Sequence, residues 1–122
     1  MTRQIDFALP QRFLRMCRRN MRRPKVADSQ GTELTGAGLL LRTLIVRRLL
    51  LRHTLQTDEP YVGVLLPPSV AAVVTNAALT LDHRTAVNLN YTAPREAVHE
   101  AITQCGIRNV VTSRRLVERL PF

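Results

Sequence analysis

The 122-residue chain has a single lysine, Lys25, no tryptophan, 4% aromatic residues and five scattered glycines. A loop that cradles phosphates needs consecutive backbone N–H groups turned inward, which clustered glycines permit, and a cation beside them. No segment supplies both. Cysteine is scarce too: Cys17 and Cys105 lie far apart, which excludes a disulfide framework and any zinc-ligand spacing. His53, His83 and His99 stand apart from one another and from both cysteines, so the sequence offers no metal site. Ser69 lacks the Gly-x-Ser-x-Gly elbow of a serine hydrolase. Glu96 and Glu100 read as one solvated helix face rather than an acid–base pair. Long apolar runs are missing as well. The stretch from Leu39 to Leu55 is broken by Arg42, Arg47, Arg48 and Arg52, which are costly in hydrocarbon. Near the N-terminus, Arg12 and Arg15 follow Phe7, Ala8 and Leu9 too closely for an export signal. The expectation is a cytoplasmic chain, with the inner membrane surface as the furthest place it would act.

Acids are the next shortage, nine against 18 basic residues, for a net charge of +9. The imbalance is local. Residues 1–25 hold eight Lys and Arg against Asp6 alone, a balance of +7, whereas the rest of the chain comes to +2. Pro10 to Arg23 reads as a helix with proline in its first turn. At 100° per residue, Phe13, Leu14, Met16, Cys17 and Met21 share one face, and Arg12, Arg15, Arg18, Arg19, Arg22 and Arg23 fill the other. Such a face is either simply solvated or binds anions. Among anionic partners, nucleic acid ranks low, because the segment has no Tyr or Trp for stacking and no recognition-helix signature. An anionic membrane surface suits a basic amphipathic helix better.

With 45% hydrophobic and 22% charged residues, the composition is globular, and the length allows one domain. Its parts are a basic helical segment (1–25), a hairpin plus helix (26–60) and a βαβαβα unit (61–122). In VADSQGTELT, Ser29, Gln30 and Gly31 make the turn, and Val26 and Leu34 are flanking strand positions. Gly36 to Thr54 is helical, with Leu40, Leu44, Leu51 and Leu55 in a narrow arc. Leu39, Leu41, Ile45, Leu49 and Leu50 spread apolar surface around the remainder, so one packing face does not suffice: the expected cover is a domain beyond this stretch or, for the chain alone, self-association into an oligomer or aggregate. Gln56 to Pro60 reads as an ordinary loop.

The second half alternates strand and helix, the cadence of an α/β fold with a mostly parallel sheet and flanking helices. Val62, Val64, Leu65 and Leu66 form a continuous apolar strand that Pro67 and Pro68 stop. Ser69 caps a helix rich in small residues. Ala86, Val87 and Leu89 make a second strand. Val98, Ala101, Ile102 and Cys105 give a helical stripe that Gly106 ends. Val110 and Val111 form a third strand, and Ser113 caps a last helix with Leu116, Val117 and Leu120. Ligands of open α/β sheets bind at the carboxyl edge of the strands, which makes Ser69, Asn90, Tyr91 and Ser113 the polar candidates for a substrate site. Each also suits a cap or a turn. No catalytic residue is assigned.

Four pieces in order, VADSQGTELT, VGVLLPPSV (62–70), VNLNYT (87–92) and QCGIRNVVTSR (104–114), resemble the opening portion of the AMP-forming acyl-activating synthetases. The branch most similar in look is the acyl-acyl carrier protein and acyl-CoA synthetases. The resemblance implies an acid–thiol ligase: intact relatives use ATP and magnesium to make an acyl adenylate from a carboxylate, then pass the acyl group to a thiol. It also implies that the phosphate loop, the ribose-gripping aspartate and the adenylating lysine belong to segments beyond Phe122. On this reading the chain is a truncated piece, inactive alone, without a cofactor of its own. Its natural partners are the remainder of the synthetase and an acidic acyl carrier protein. The alternative is a non-catalytic basic module that binds carrier protein, anionic membrane or nucleic acid through the arginine face.

Overall fold

A computed structural model describes residues 2–119, with side chains from residue 9 onward. Helix α1 (Thr2–Arg19) leads into an antiparallel pair, β1 (Pro24–Ala27) and β2 (Glu33–Thr35), and then α2 (Gly36–His53). Strand β3 (Tyr61–Leu65), α3 (Val70–Leu81), β4 (Thr85–Asn88), α4 (Arg95–Cys105), β5 (Val110–Thr112) and α5 (Arg114–Arg119) follow. The second sheet is parallel, in the order β4-β3-β5. Tyr61 pairs with Thr85 on one side, and Gly63 pairs with Val110 on the other.

The α/β class expected from the sequence is the class observed, hairpin and basic helix included. The reasons are local ones. Asp28 folds the hairpin tip back on itself, its Oδ1 accepting from the N–H of Gln30 (3.0 Å) and of Thr32 (3.1 Å), while Gly31 takes φ 88°. Thr35 and Ser69 cap α2 and α3 through their hydroxyls. Gly106 closes α4 at φ 64°, the left-handed position that glycine tolerates best.

Period-two alternation in β3 sends side chains to both faces of the sheet. Val62 and Val64 meet Leu79 of α3 and Leu55 beyond α2. Leu65 meets Val98 of α4, Ile107 and Leu116 of α5, with Ala101, Ile102 and Cys105 packed around them. Both faces are thus covered, which explains why the strand reads as an unbroken apolar run. A third cluster joins α1, the hairpin, α2 and α3 through Cys17, Leu34, Leu39, Val70 and Val74. Burial there pushes the Cys17 thiol pKa up.

Several expectations need correction. Helix α1 spans Thr2–Arg19, so Pro10 lies inside it rather than in its first turn. It stops before Arg23 because Asn20 turns back, donating from Nδ2 to the Met16 carbonyl (2.7 Å) and accepting at its own carbonyl from the Arg23 N–H (3.0 Å). Met21 consequently falls outside the helix and is exposed. In α2 the buried line is Leu39 and Thr43, flanked by half-buried Val46 and Leu50, while Leu44 faces solvent. Val117 of α5 is exposed too, and Leu120 lies outside the described residues.

Candidate functional site

Strand β3 ends at Leu65, and Pro67-Pro68 follow, neither of which can extend a ladder through an N–H. The chain turns there into α3. Ser69 accepts from the Ala72 N–H (3.2 Å) and donates its hydroxyl to the Pro67 carbonyl (2.9 Å). The first N–H of α3, on Val70, donates to Asp28 Oδ2 at 3.0 Å, 42 residues away in sequence. One carboxylate therefore shapes the hairpin turn and clamps the hairpin to the start of α3. These N–H donors, Val70 foremost, hold the Asp28 carboxyl below its ordinary pKa.

A depressed carboxylate pKa gives stability that is present above the unfolded-state value, about 4, and is lost as pH falls through the folded value. Asp28→Asn replaces one acceptor oxygen with a donor, so this source of acid sensitivity disappears. The expected result is a lower melting temperature for the variant at pH 7 and a shallower fall between pH 5 and pH 2, measured by circular dichroism. Parallel curves for the two proteins would refute the clamp.

Beside the clamp lies a groove of about 910 Å³, walled by the hairpin tip, α2, the start of α3 and α5. Leu66, Val70, Val74 and Leu116 line its apolar part, and Arg42, Arg115 and Arg119 its charged part. Arg115 and Arg119 sit one helical turn apart on α5. None of these three arginines belongs to the ion pairs among the described residues, which are Arg47–Asp82, Arg84–Asp82 and Arg108–Asp58. The groove's carboxylate, Asp28, is already engaged by three N–H groups. The lining therefore sets three arginines against one carboxylate, an electropositive wall.

The sequence candidates divide here. Ser69 and Ser113 both line the groove, Ser113 capping α5 by accepting from the Leu116 N–H (3.1 Å). Asn90 and Tyr91 do not. They follow β4, on the other side of β3. Asn90 accepts from the N–H and hydroxyl of Thr92 within its own turn, and Tyr91 packs against the α4 cluster. Sequence reasoning missed Arg42, Arg115 and Arg119. The four-residue spacing of the last two is a usable signal, but only the fold brings Arg42 to them.

The six-arginine face of α1 divides as well. Arg12, Arg15 and Arg19 border a shallow depression with Met16 and Asn20, Arg18 is exposed, and Arg22 and Arg23 lie in the turn beyond the helix. Among the described residues no group of His, Cys, Asp and Glu could hold a metal ion, and no helix is long and apolar enough to cross a membrane.

Solved structures share this architecture. The N-terminal subdomain of Klebsiella oxytoca NpsA matches with a TM-score of 0.75 at 18% identity, over 93% of this chain and 33% of that one. FmoA3, a nonribosomal peptide synthetase in its α-methyl-L-serine-AMP bound form, matches with a TM-score of 0.81 at 21% identity, over 93% of this chain and 13% of that one. PA1221, a nonribosomal peptide synthetase protein containing adenylation and PCP domains, gives 0.67 at 18%, over 86% of this chain and 21% of that one. No protein-family model matches the chain. The chain shares the fold of these structures over the matched residues. It spans a third or less of the length of these structures.

Proposed function

We propose that the chain is the N-terminal scaffold of an AMP-dependent synthetase of the acyl-CoA or acyl-acyl carrier protein type, catalytically silent by itself. The observation that carries this reading is the coincidence of the four resembling pieces with the hairpin clamp and the sheet. VADSQGTELT is the β1–β2 hairpin, VGVLLPPSV runs from β3 to the α3 cap, VNLNYT holds the end of β4, and QCGIRNVVTSR joins α4 to α5. The likeness in fold to solved adenylation proteins over most of the chain supports the same reading. The presence of adenylation and PCP domains together in PA1221 supports a carrier domain as partner.

ATP and magnesium would serve the complete enzyme. The residues present do not fit a triphosphate: Gly31 turns the hairpin, Gly36 and Gly38 open α2, Gly63 sits in β3 and Gly106 ends α4, while Lys25 lies in β1. These glycines fall in four separate places in the fold and none belongs to a glycine-rich loop that ends in lysine, the arrangement a phosphate cradle needs.

The test has two arms. The 122-residue protein should show no saturable magnesium–ATP binding by calorimetry and no carboxylate-dependent pyrophosphate release. A longer protein encoded across the Phe122 codon should contain a Gly-rich loop ending in lysine and should catalyse carboxylate-dependent ATP–pyrophosphate exchange. Turnover by the short chain would overturn the scaffold reading, and absence of such a loop downstream would overturn the synthetase reading.

A further inference from the structure

Helix α2 has two sides of different character. Its inner side packs on α1 and α3 through Leu39, Val46 and the fully buried Thr43. On its outer side Leu41, Leu44, Ile45 and Leu49 are 44–61% exposed. Arg42, Arg48 and Arg52 share that exposed side, and α2 contains no acidic residue. At 100° per residue the seven positions cover an arc of about 160°. Arg48 and Arg52 fall near the middle of the arc, flanked by Leu44 on one edge and by Ile45 and Leu49 towards the other.

This arrangement selects the occupant. A protein–protein interface keeps charge out of its centre and places it on the rim. Here guanidinium groups interleave with leucines at the centre. A helix lying in a membrane interface meets apolar acyl chains and anionic phosphates at every point along its length, and long arginine side chains reach the headgroups while their stems stay apolar. The basic character also continues past the helix: Arg42 and Ile45 line the groove that Arg115 and Arg119 enter from α5. We propose that the outer face of α2, with this adjoining groove, docks flat on a lipid surface that carries anionic headgroups. It lies on the membrane without crossing it.

The chain has no tryptophan, so Leu41→Trp installs a single fluorescent reporter on the face. With vesicles of equal phosphatidylglycerol and phosphatidylcholine, its emission should shift to the blue and be quenched by brominated acyl chains. Phosphatidylcholine vesicles should give neither effect. In co-sedimentation, affinity for the anionic vesicles should exceed that for phosphatidylcholine by about tenfold or more and should fall as salt rises. Leu44→Ser/Ile45→Ser/Leu49→Ser and Arg48→Glu/Arg52→Glu should each weaken binding by about tenfold or more, with far-ultraviolet dichroism unchanged. Arg12→Glu/Arg15→Glu/Arg19→Glu, on α1, should leave it within about threefold.

Absence of a blue shift in the folded reporter protein would overturn the proposal. So would equal loss in the α1 variant, which would mean bulk charge and not this face, or full retention in the serine variant, which would mean phosphate attraction alone. A wild-type dimer that the serine substitutions convert to monomer without lipid would assign the face to a second copy of the chain and would equally overturn it.

Discussion

Gly36→Ala is expected to destabilise the protein by about 3 kcal/mol, seen as a fall of about 2 M in the urea midpoint. Gly36 opens α2 where the last turn of α1 arrives, and its N–H is shared between the carbonyls of Asn20 (3.0 Å) and Arg23 (3.1 Å). A Cβ at this position would run into the Asn20 carbonyl oxygen and lie 2.6 Å from that of Cys17. Both obstacles are backbone atoms, so no rotamer change relieves them. The helix ends must separate, opening the cluster in which Cys17 is fully buried. Gly38→Ala is the internal control. Its Cβ would meet nothing closer than 3.6 Å, and alanine improves helix propensity by up to about 1 kcal/mol. Opposite signs two residues apart identify the close approach as the cause. Equal effects would show that α1 does not dock as described.

The same glycine marks where sequence reading stops. A helix start at Gly36 is legible because a threonine precedes an apolar periodic run, but the carbonyl that forbids a side chain there comes from another element. The α/β half was legible almost residue by residue, since its signals are local: the Val62–Leu66 run, the Val98–Cys105 stripe, Gly106 and the serine caps. The span of α1 was not, because proline is expected in a first turn and disfavoured in a helix interior, so the spacing points to a start at Pro10 and not at Thr2. Asp28 looked like no more than part of a turn sequence. Its bond to Val70 joins segments 42 residues apart, and no local pattern announces it. The site followed the same rule: Ser69 and Ser113 could be placed at the strand ends, whereas the convergence of Arg42 with Arg115 and Arg119 is a product of the fold.

The loop that read as ordinary, Gln56 to Pro60, carries the other large expected effect. Glu59 is only 2% exposed. Its carboxylate accepts from Asn109 Nδ2 (2.9 and 3.1 Å) and from the Gln56 N–H (3.1 Å). Its carbonyl accepts from Arg84 Nη1 at 2.6 Å. Asn109 immediately precedes β5 and gives its own carbonyl to the Gly63 N–H of β3 (3.0 Å), while the Pro60 carbonyl receives the Thr85 N–H at the start of β4 (2.8 Å). The loop thus ties the amino ends of all three parallel strands together, opposite the groove. Glu59→Ala removes the charged acceptor of the half-buried Asn109 amide and of the Gln56 N–H at once. Bonds to a charged acceptor stabilise by about 1.5–3 kcal/mol each, and both donors lose theirs, so the expected loss is about 3 kcal/mol. Asp58→Ala, one residue earlier, removes a carboxylate whose side chain is 72% exposed and paired to a half-exposed Arg108, and should leave the urea midpoint unchanged. Hydrogen exchange supplies the spatial test. In Glu59→Ala the amides of Gly63 and Thr85 should exchange faster, while the Val70 amide, held by Asp28 at the far edge of the sheet, keeps its protection. Uniform acceleration across the chain would mean global destabilisation only, and would remove the loop's claim to organise the strand entries.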